Sequence, residues 1–154
     1  MDFPPNPDTF YPIVWNIVRQ IPSGVVSTYG QIASMIPPPS GVDPTDYERL
    51  GPRWVGKAMN AVSLVSGKDD PTVPWQRVIN SQGGISLPAG SAAALEQHAR
   101  LIREGLTFDK RERIDLNVAG WDGPDENWLR ENGLFPPRPL KKSPKADSGQ
   151  LSLF

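Results

Sequence analysis

The chain of 154 residues predicts an α+β fold, mainly helical, in one domain with a tail. Three observations carry that prediction. Apolar residues recur at helical spacing in several separate stretches. Short apolar runs from Val73 to Ile79 and from Leu106 to Leu116 read as strands. The 18 prolines and 14 glycines require long, irregular connections between these elements.

The first helix is predicted from Phe10 to Ile21, with Phe10, Ile13, Val14, Ile17 and Val18 on its apolar face. Thr9 is its cap, Pro12 fits its first turn, and Pro22-Ser23-Gly24 ends it. Val25-Val26 is an extended link. Thr28 to Ile36 forms a second helix, capped by Ser27 or Thr28, with Ile32, Ala33 and Ile36 inward. Pro37-Pro38-Pro39-Ser40-Gly41 stops it, and a loop is expected as far as Pro52. Arg53 to Val62 returns to helix, burying Val55, Met59 and Val62 and carrying the small residues Gly56 and Ala58. Helix, linker and helix together read as a helix-turn-helix with an enlarged turn.

Asn80 to Gly90 is turn-rich and predicts a hairpin or wing. Ser91 caps a helix that runs to Glu104 and closes at Gly105. Trp121-Asp122-Gly123-Pro124 is a turn, and Asp125 to Asn132 is a short helix stopped by Gly133. The expected division is a main domain over residues 1–115, a packed extension over 116–135 anchored by Trp121 and Trp128, and a tail over 136–154. Proline, lysine and serine dominate that tail, which is expected to be disordered.

Composition narrows the function. Cysteine is absent, which excludes disulfides, thiolate metal sites and a cysteine nucleophile. The single histidine, His98, cannot form a His-rich metal site, and no cofactor is expected. With a net charge of -1, nucleic acid must be held by a local patch. Arg49, Arg53 and Lys57 supply one, because no acid lies between Arg49 and Val62. Arg53 and Lys57 share a helix face. On charge alone the stripe reads more readily as an ordinary solvated face. No signal peptide or membrane-spanning run is evident, so a cytoplasmic protein is expected. No dimerisation segment is evident either, which implies a monomer.

Four motifs then fall in a specific order: STYGQIA from Ser27, RWVGKAM from Arg53, VPWQRVINSQG from Val73 and LIREGL from Leu101. In that order they resemble the DNA-binding domain of O6-alkylguanine-DNA alkyltransferases, from Phe10 to Leu106. Those enzymes carry Pro-Cys-His-Arg where this chain has Pro74-Trp75-Gln76-Arg77. The cysteine that accepts the alkyl group and the histidine that activates it are both replaced. Tryptophan at the cysteine position marks the alkyltransferase-like proteins, which bind alkylated DNA without repairing it and hand it to nucleotide excision repair.

The resemblance implies roles residue by residue. Tyr29 presses the target phosphate and rotates the nucleotide, and Arg53 fills the vacated stack. Gly56, Lys57, Ala58 and Asn60 belong to the DNA-facing helix, which enters the minor groove. Pro74, Trp75, Gln76, Arg77 and Ser86 surround the lesion pocket, where the indole stacks on a flipped base. From composition alone Trp75 reads as a core residue beside Pro74 and Val78. Glu104 and Asn80 act structurally, Glu104 as a partner of Arg77 or Gln76. The stretch Ile85-Ser86-Leu87-Pro88 lacks the arginine that some family members use to read the base edge. Two rivals are an enzyme of this fold with another nucleophile and a sequence-specific winged-helix transcriptional regulator. No Ser-His-acid or paired-carboxylate arrangement supports the first, and near-neutral charge disfavours the second.

The last five residues of the sequence, Gln150, Leu151, Ser152, Leu153 and Phe154, look like the short peptide that docks bacterial repair proteins on the replication sliding clamp. Leu153 and Phe154 would fill an apolar pocket, with Gln150 hydrogen-bonding beside it. A short anchor on a flexible tether binds weakly but searches a large volume.

Overall fold

The structure is a computed structural model that describes residues 2–64, 66–67 and 69–142. Helix α1 spans Pro7–Val18. It begins before Thr9 because Pro7 supplies a preset φ in its first turn. It ends before Ile21 because the next bonds, Gln20 N to Ile17 O and Ile21 N to Val18 O, tighten to three-residue spacing. Strand β1 (Ser27–Thr28) leads into α2 (Tyr29–Met35), whose cap is Thr28, accepting from Gln31 N.

Helix α3 is Pro44–Asn60, and here the expected loop to Pro52 is corrected. Asp43 caps the helix by accepting from Thr45 N at 2.8 Å, and Pro44 occupies the first turn. Pro52 lies within the helix. The lost amide donor is outweighed by packing, since Tyr47, Leu50, Trp54, Val55, Ala58 and Met59 are all buried. The connection between α2 and α3 therefore shrinks to residues 36–43. Tyr47 donates its hydroxyl to Ala33 O at 3.0 Å. The helices cross tightly at Gly51, where a Cβ would lie 2.9 Å from the Tyr47 ring and 3.1 Å from Ala33 Cβ.

A 3-10 turn at Trp75–Arg77 delivers the chain into β2 (Val78–Ile79). The two strands pair in parallel, Ser27 opposite Val78 and Thr28 opposite Ile79. The pairing draws the start of α2 to the end of the VPWQRVI motif. The stretch from Asn80 to Gly90 forms turns rather than a paired hairpin. Helix α4 (Ala92–Arg103) is capped by Ser91, whose hydroxyl accepts from Ala94 N. Leu106 to Leu116 holds no strand. It turns at Asp109, which exchanges backbone bonds with Glu112 and Arg113, and then enters α5 (Leu116–Ala119). Helix α6 (Glu126–Glu131) follows, capped by Asp125.

The main core lies among α1, α2 and α3 and also takes in Trp75, Val78, Trp121 and Leu129. A smaller cluster of Val26, Ile79, Leu101, Leu106, Ile114 and Ala119 sits under α4 and α5. Residues 136–142, expected to be disordered, instead lie against the domain. Arg138 N donates to Ser34 Oγ, and Lys142 N donates to Asn117 Oδ1. Among the described residues no helix is long and apolar enough to cross a membrane, and no group of three or more His, Cys, Asp or Glu could hold a metal.

Candidate nucleic-acid interface

Helical geometry sorts the residues of α3. Arg49, Arg53, Lys57 and Asn60 recur at intervals of three and four and are all exposed. Arg53 has no acidic partner among the described residues, and Lys57 places its ammonium 4.9 Å from the Phe3 ring centroid. Gly56 lies on the same side, and a Cβ there would meet nothing within 4 Å. Nothing inside the protein requires a glycine at that point. Ala58 is corrected: it is 0% exposed and belongs to the core, with its carbonyl accepting from Trp15 Nε1 at 2.8 Å. At 100° per residue it points well away from Arg53.

Tyr29 opens α2 on the neighbouring surface and is half-buried. The Ser86 side chain lies near its phenol, so the structure brings two of the expected site residues together. Burial raises the Tyr29 pKa, and the Ser86 hydroxyl offsets part of that rise. Asn80 organises the loop that carries Ser86. Its side-chain oxygen accepts from Gln82 N and Gly84 N, each at 3.0 Å.

Trp75 does not stand open to a pocket. It is 3% exposed and part of the core. Its Nε1 donates to Asp69 Oδ1 at 2.6 Å, and the Arg100 guanidinium carbon lies 5.0 Å from its ring centroid. Asp69 also accepts from Arg100 Nη2 at 2.8 Å, which is the first cause of its lowered pKa. A carboxylate and a guanidinium thus close over the indole. Pro74 is half-buried beside it and Ser86 is exposed.

Behind Trp75 lies a second network. Glu104 accepts from Arg77 Nε and Nη2, each at 2.9 Å, and from Gln76 Nε2 at 2.9 Å. Arg77 Nη1 donates to Ile21 O at 2.7 Å. Burial raises the Glu104 pKa, but the bonds from Arg77 and Gln76 together outweigh it and hold the carboxyl below its ordinary value. Gln76 Oε1 is buried without a partner in the described structure. Gln97 Nε2 donates to Gln76 O and Val78 O and fixes the 3-10 turn to α4. Sequence reasoning placed Glu104 with these partners. It missed Asp69, Gln97 and Arg100, whose contacts cross long stretches of chain. Only the Glu96–Arg100 pair, four residues apart, has a local signal.

The structure therefore shows an exposed cationic face on α3, Tyr29 at the head of the neighbouring α2, and a buried Trp75-Gln76 pair over an Arg77–Glu104 anchor. Residues 9–106 match the family model described as 6-O-methylguanine DNA methyltransferase, DNA binding domain. Alkyltransferase-like protein 1 of Schizosaccharomyces pombe is 40% identical over 99 residues, 64% of this chain and 78% of that protein. The chain belongs to the alkyltransferase-like family. A DNA base-flipping protein of Vibrio parahaemolyticus is 36% identical over 114 residues, 74% of this chain and 97% of that one. A crystal structure of S. pombe Atl1 with damaged DNA containing O6-carboxymethylguanine superposes with a TM-score of 0.53 at 34% identity, covering 74% of this chain and 95% of that one. The small parallel sheet and helical body are thus those of an alkyltransferase-like protein, and the chain, lacking cysteine, has no acceptor thiol.

Proposed function

We propose that this alkyltransferase-like protein is a non-enzymatic sensor of O6-alkylguanine-type lesions, which it holds as flipped nucleotides for nucleotide excision repair. One observation carries the reading. The anchor of Arg77 on Glu104 is complete, while Trp75 and Gln76 stand where the enzymes of this family have their nucleophile and base. The scaffold for holding a base remains, and the means to take its alkyl group is gone.

In this reading α3 enters the minor groove by the face of Arg53, Gly56, Lys57 and Asn60. Tyr29 presses the phosphate, and Arg53 takes the space of the extruded base. Trp75 meets the base once the Asp69–Arg100 closure yields, so the free protein keeps its indole covered. Incubation with duplex bearing labelled O6-methylguanine tests the reading. No label is expected on the protein, and the alkylated duplex should bind more tightly than the same sequence unmodified. Label on the protein, or equal binding, would sink it.

The peptide Gln150-Leu151-Ser152-Leu153-Phe154 lies outside the described residues. Its proposed role rests on its sequence: a tether to the sliding clamp. Deleting it should leave DNA binding unchanged and end clamp capture in a pull-down. Clamp capture that survives the deletion refutes the assignment.

A further inference from the structure

The segment after α6 crosses the first helix of the helix-turn-helix. Phe135 N donates to Met35 O at 2.8 Å, Arg138 N donates to Ser34 Oγ at 2.9 Å, and Gln31 Nε2 donates to Arg138 O at 3.0 Å. The Arg138 backbone is therefore held on both sides by α2. Its side chain runs along the open end of that helix, where a Cβ on Gly30 would lie 3.5 Å from Arg138 Nη1. Gly30 directly follows Tyr29.

Arg138 is exposed, and its guanidinium has no acidic partner among the described residues. Glu48 lines the same cleft but makes no ion pair with it. Arg19, Arg77, Arg100 and Arg103 each touch a carboxylate, whereas Arg138, like Arg53, is left without one among the described residues. An arginine held by its backbone against α2, with its fork against Gly30 and unspent on any carboxylate, is suited to a group with two adjacent anionic oxygens.

We propose that Arg138 binds a backbone phosphate of the duplex next to the one that Tyr29 presses. The interface then extends beyond the helix-turn-helix onto the C-terminal extension, outside the residues matched by the family model. The inference rests on the reading that the α2–α3 surface faces DNA. A phosphate contact adds affinity for any sequence and carries no information about the lesion.

The test is a salt titration of binding for wild type, Arg138→Ala and Arg138→Lys, on one duplex with and without O6-methylguanine. Arg138→Ala should weaken both duplexes severalfold and by the same factor. The slope of log affinity against log salt should fall by about 0.9, the contribution of one neutralised phosphate. Arg138→Lys should keep most of that slope. The alanine variant keeps the backbone bonds to Gln31 and Ser34, and a thermal melt matching wild type checks its fold; Arg138→Gln replaces it if the melt differs. Unchanged affinity and slope, a uniform loss with unchanged slope, or a loss confined to the modified duplex would each overturn the proposal. A wild type that prefers the modified duplex while Arg138→Ala behaves identically removes Arg138 alone. A wild type without that preference removes the lesion reading on which it rests.

Discussion

Arg53→Ala is expected to reduce the affinity for an alkylated duplex to that for the unmodified one. Extruding a base costs a few kcal/mol, so lesion preference survives only if something replaces the stacking and pairing that are lost. A well-placed arginine on a base edge supplies about 1–3 kcal/mol, or roughly 5- to 150-fold in binding. Binding to unmodified duplex should fall only by the loss of one positive charge. The substitution leaves the fold intact, because Arg53 is exposed while its neighbours Trp54 and Val55 carry the packing. A gel-shift comparison of the two duplexes reads the result. Lesion preference that persists in the variant removes Arg53 from the role of finger.

The second large effect is on stability. Glu104→Ala deletes a carboxylate that accepts three hydrogen bonds and leaves Arg77 without its counter-charge at 18% side-chain exposure. Breaking such a pair from one side costs about 3–5 kcal/mol. Chemical denaturation should show the unfolding free energy fall by that much, and the midpoint fall with it, with Glu104→Gln losing less. A midpoint within experimental error of wild type would show the network to be dispensable. The same carboxylate makes stability depend on pH. Its folded pKa lies below the unfolded value, so the unfolded chain binds the proton more readily. The stabilisation is complete above the unfolded pKa of about 4.3 and is lost as pH falls through the folded value. Wild type should therefore lose melting temperature on acidification more steeply than Glu104→Ala.

What the sequence disclosed depended on how local each determinant is. Helix α2 was legible to within a residue at each end because Thr28, its cap, acts on an amide three residues away. The start of α3 was not. Asp43-Pro44 is a helix-opening pair, but Pro52 reads as a stop unless one knows that Leu50, Trp54 and Ala58 are buried around it. Ala58 was chosen for its size, although its angle from Arg53 already put it on the far side of the helix. Trp75 divides the two kinds of inference: composition points to the core, the resemblance to an open pocket, and the free chain follows composition. The cover on that indole, Asp69 with Arg100, joins residues 31 positions apart, and no periodicity reports it. Residues 136–142 were misjudged because prolines and lysines can still lie in order when neighbouring helices offer hydrogen bonds.

The side chain of Gln31 sets where the protein can be cut. It takes a bond from Ser27 Oγ at 2.6 Å and gives its amide hydrogens to Trp121 O and Arg138 O. A fragment stopped at residue 115 would take away both acceptors and also strip Val26 of the exchange it makes with Ala119 and Trp121. The helical body is thus not a transferable module with an accessory stitched on behind. Anyone grafting it into a fusion must carry the chain through to Lys142, because α2 is finished by residues that arrive last.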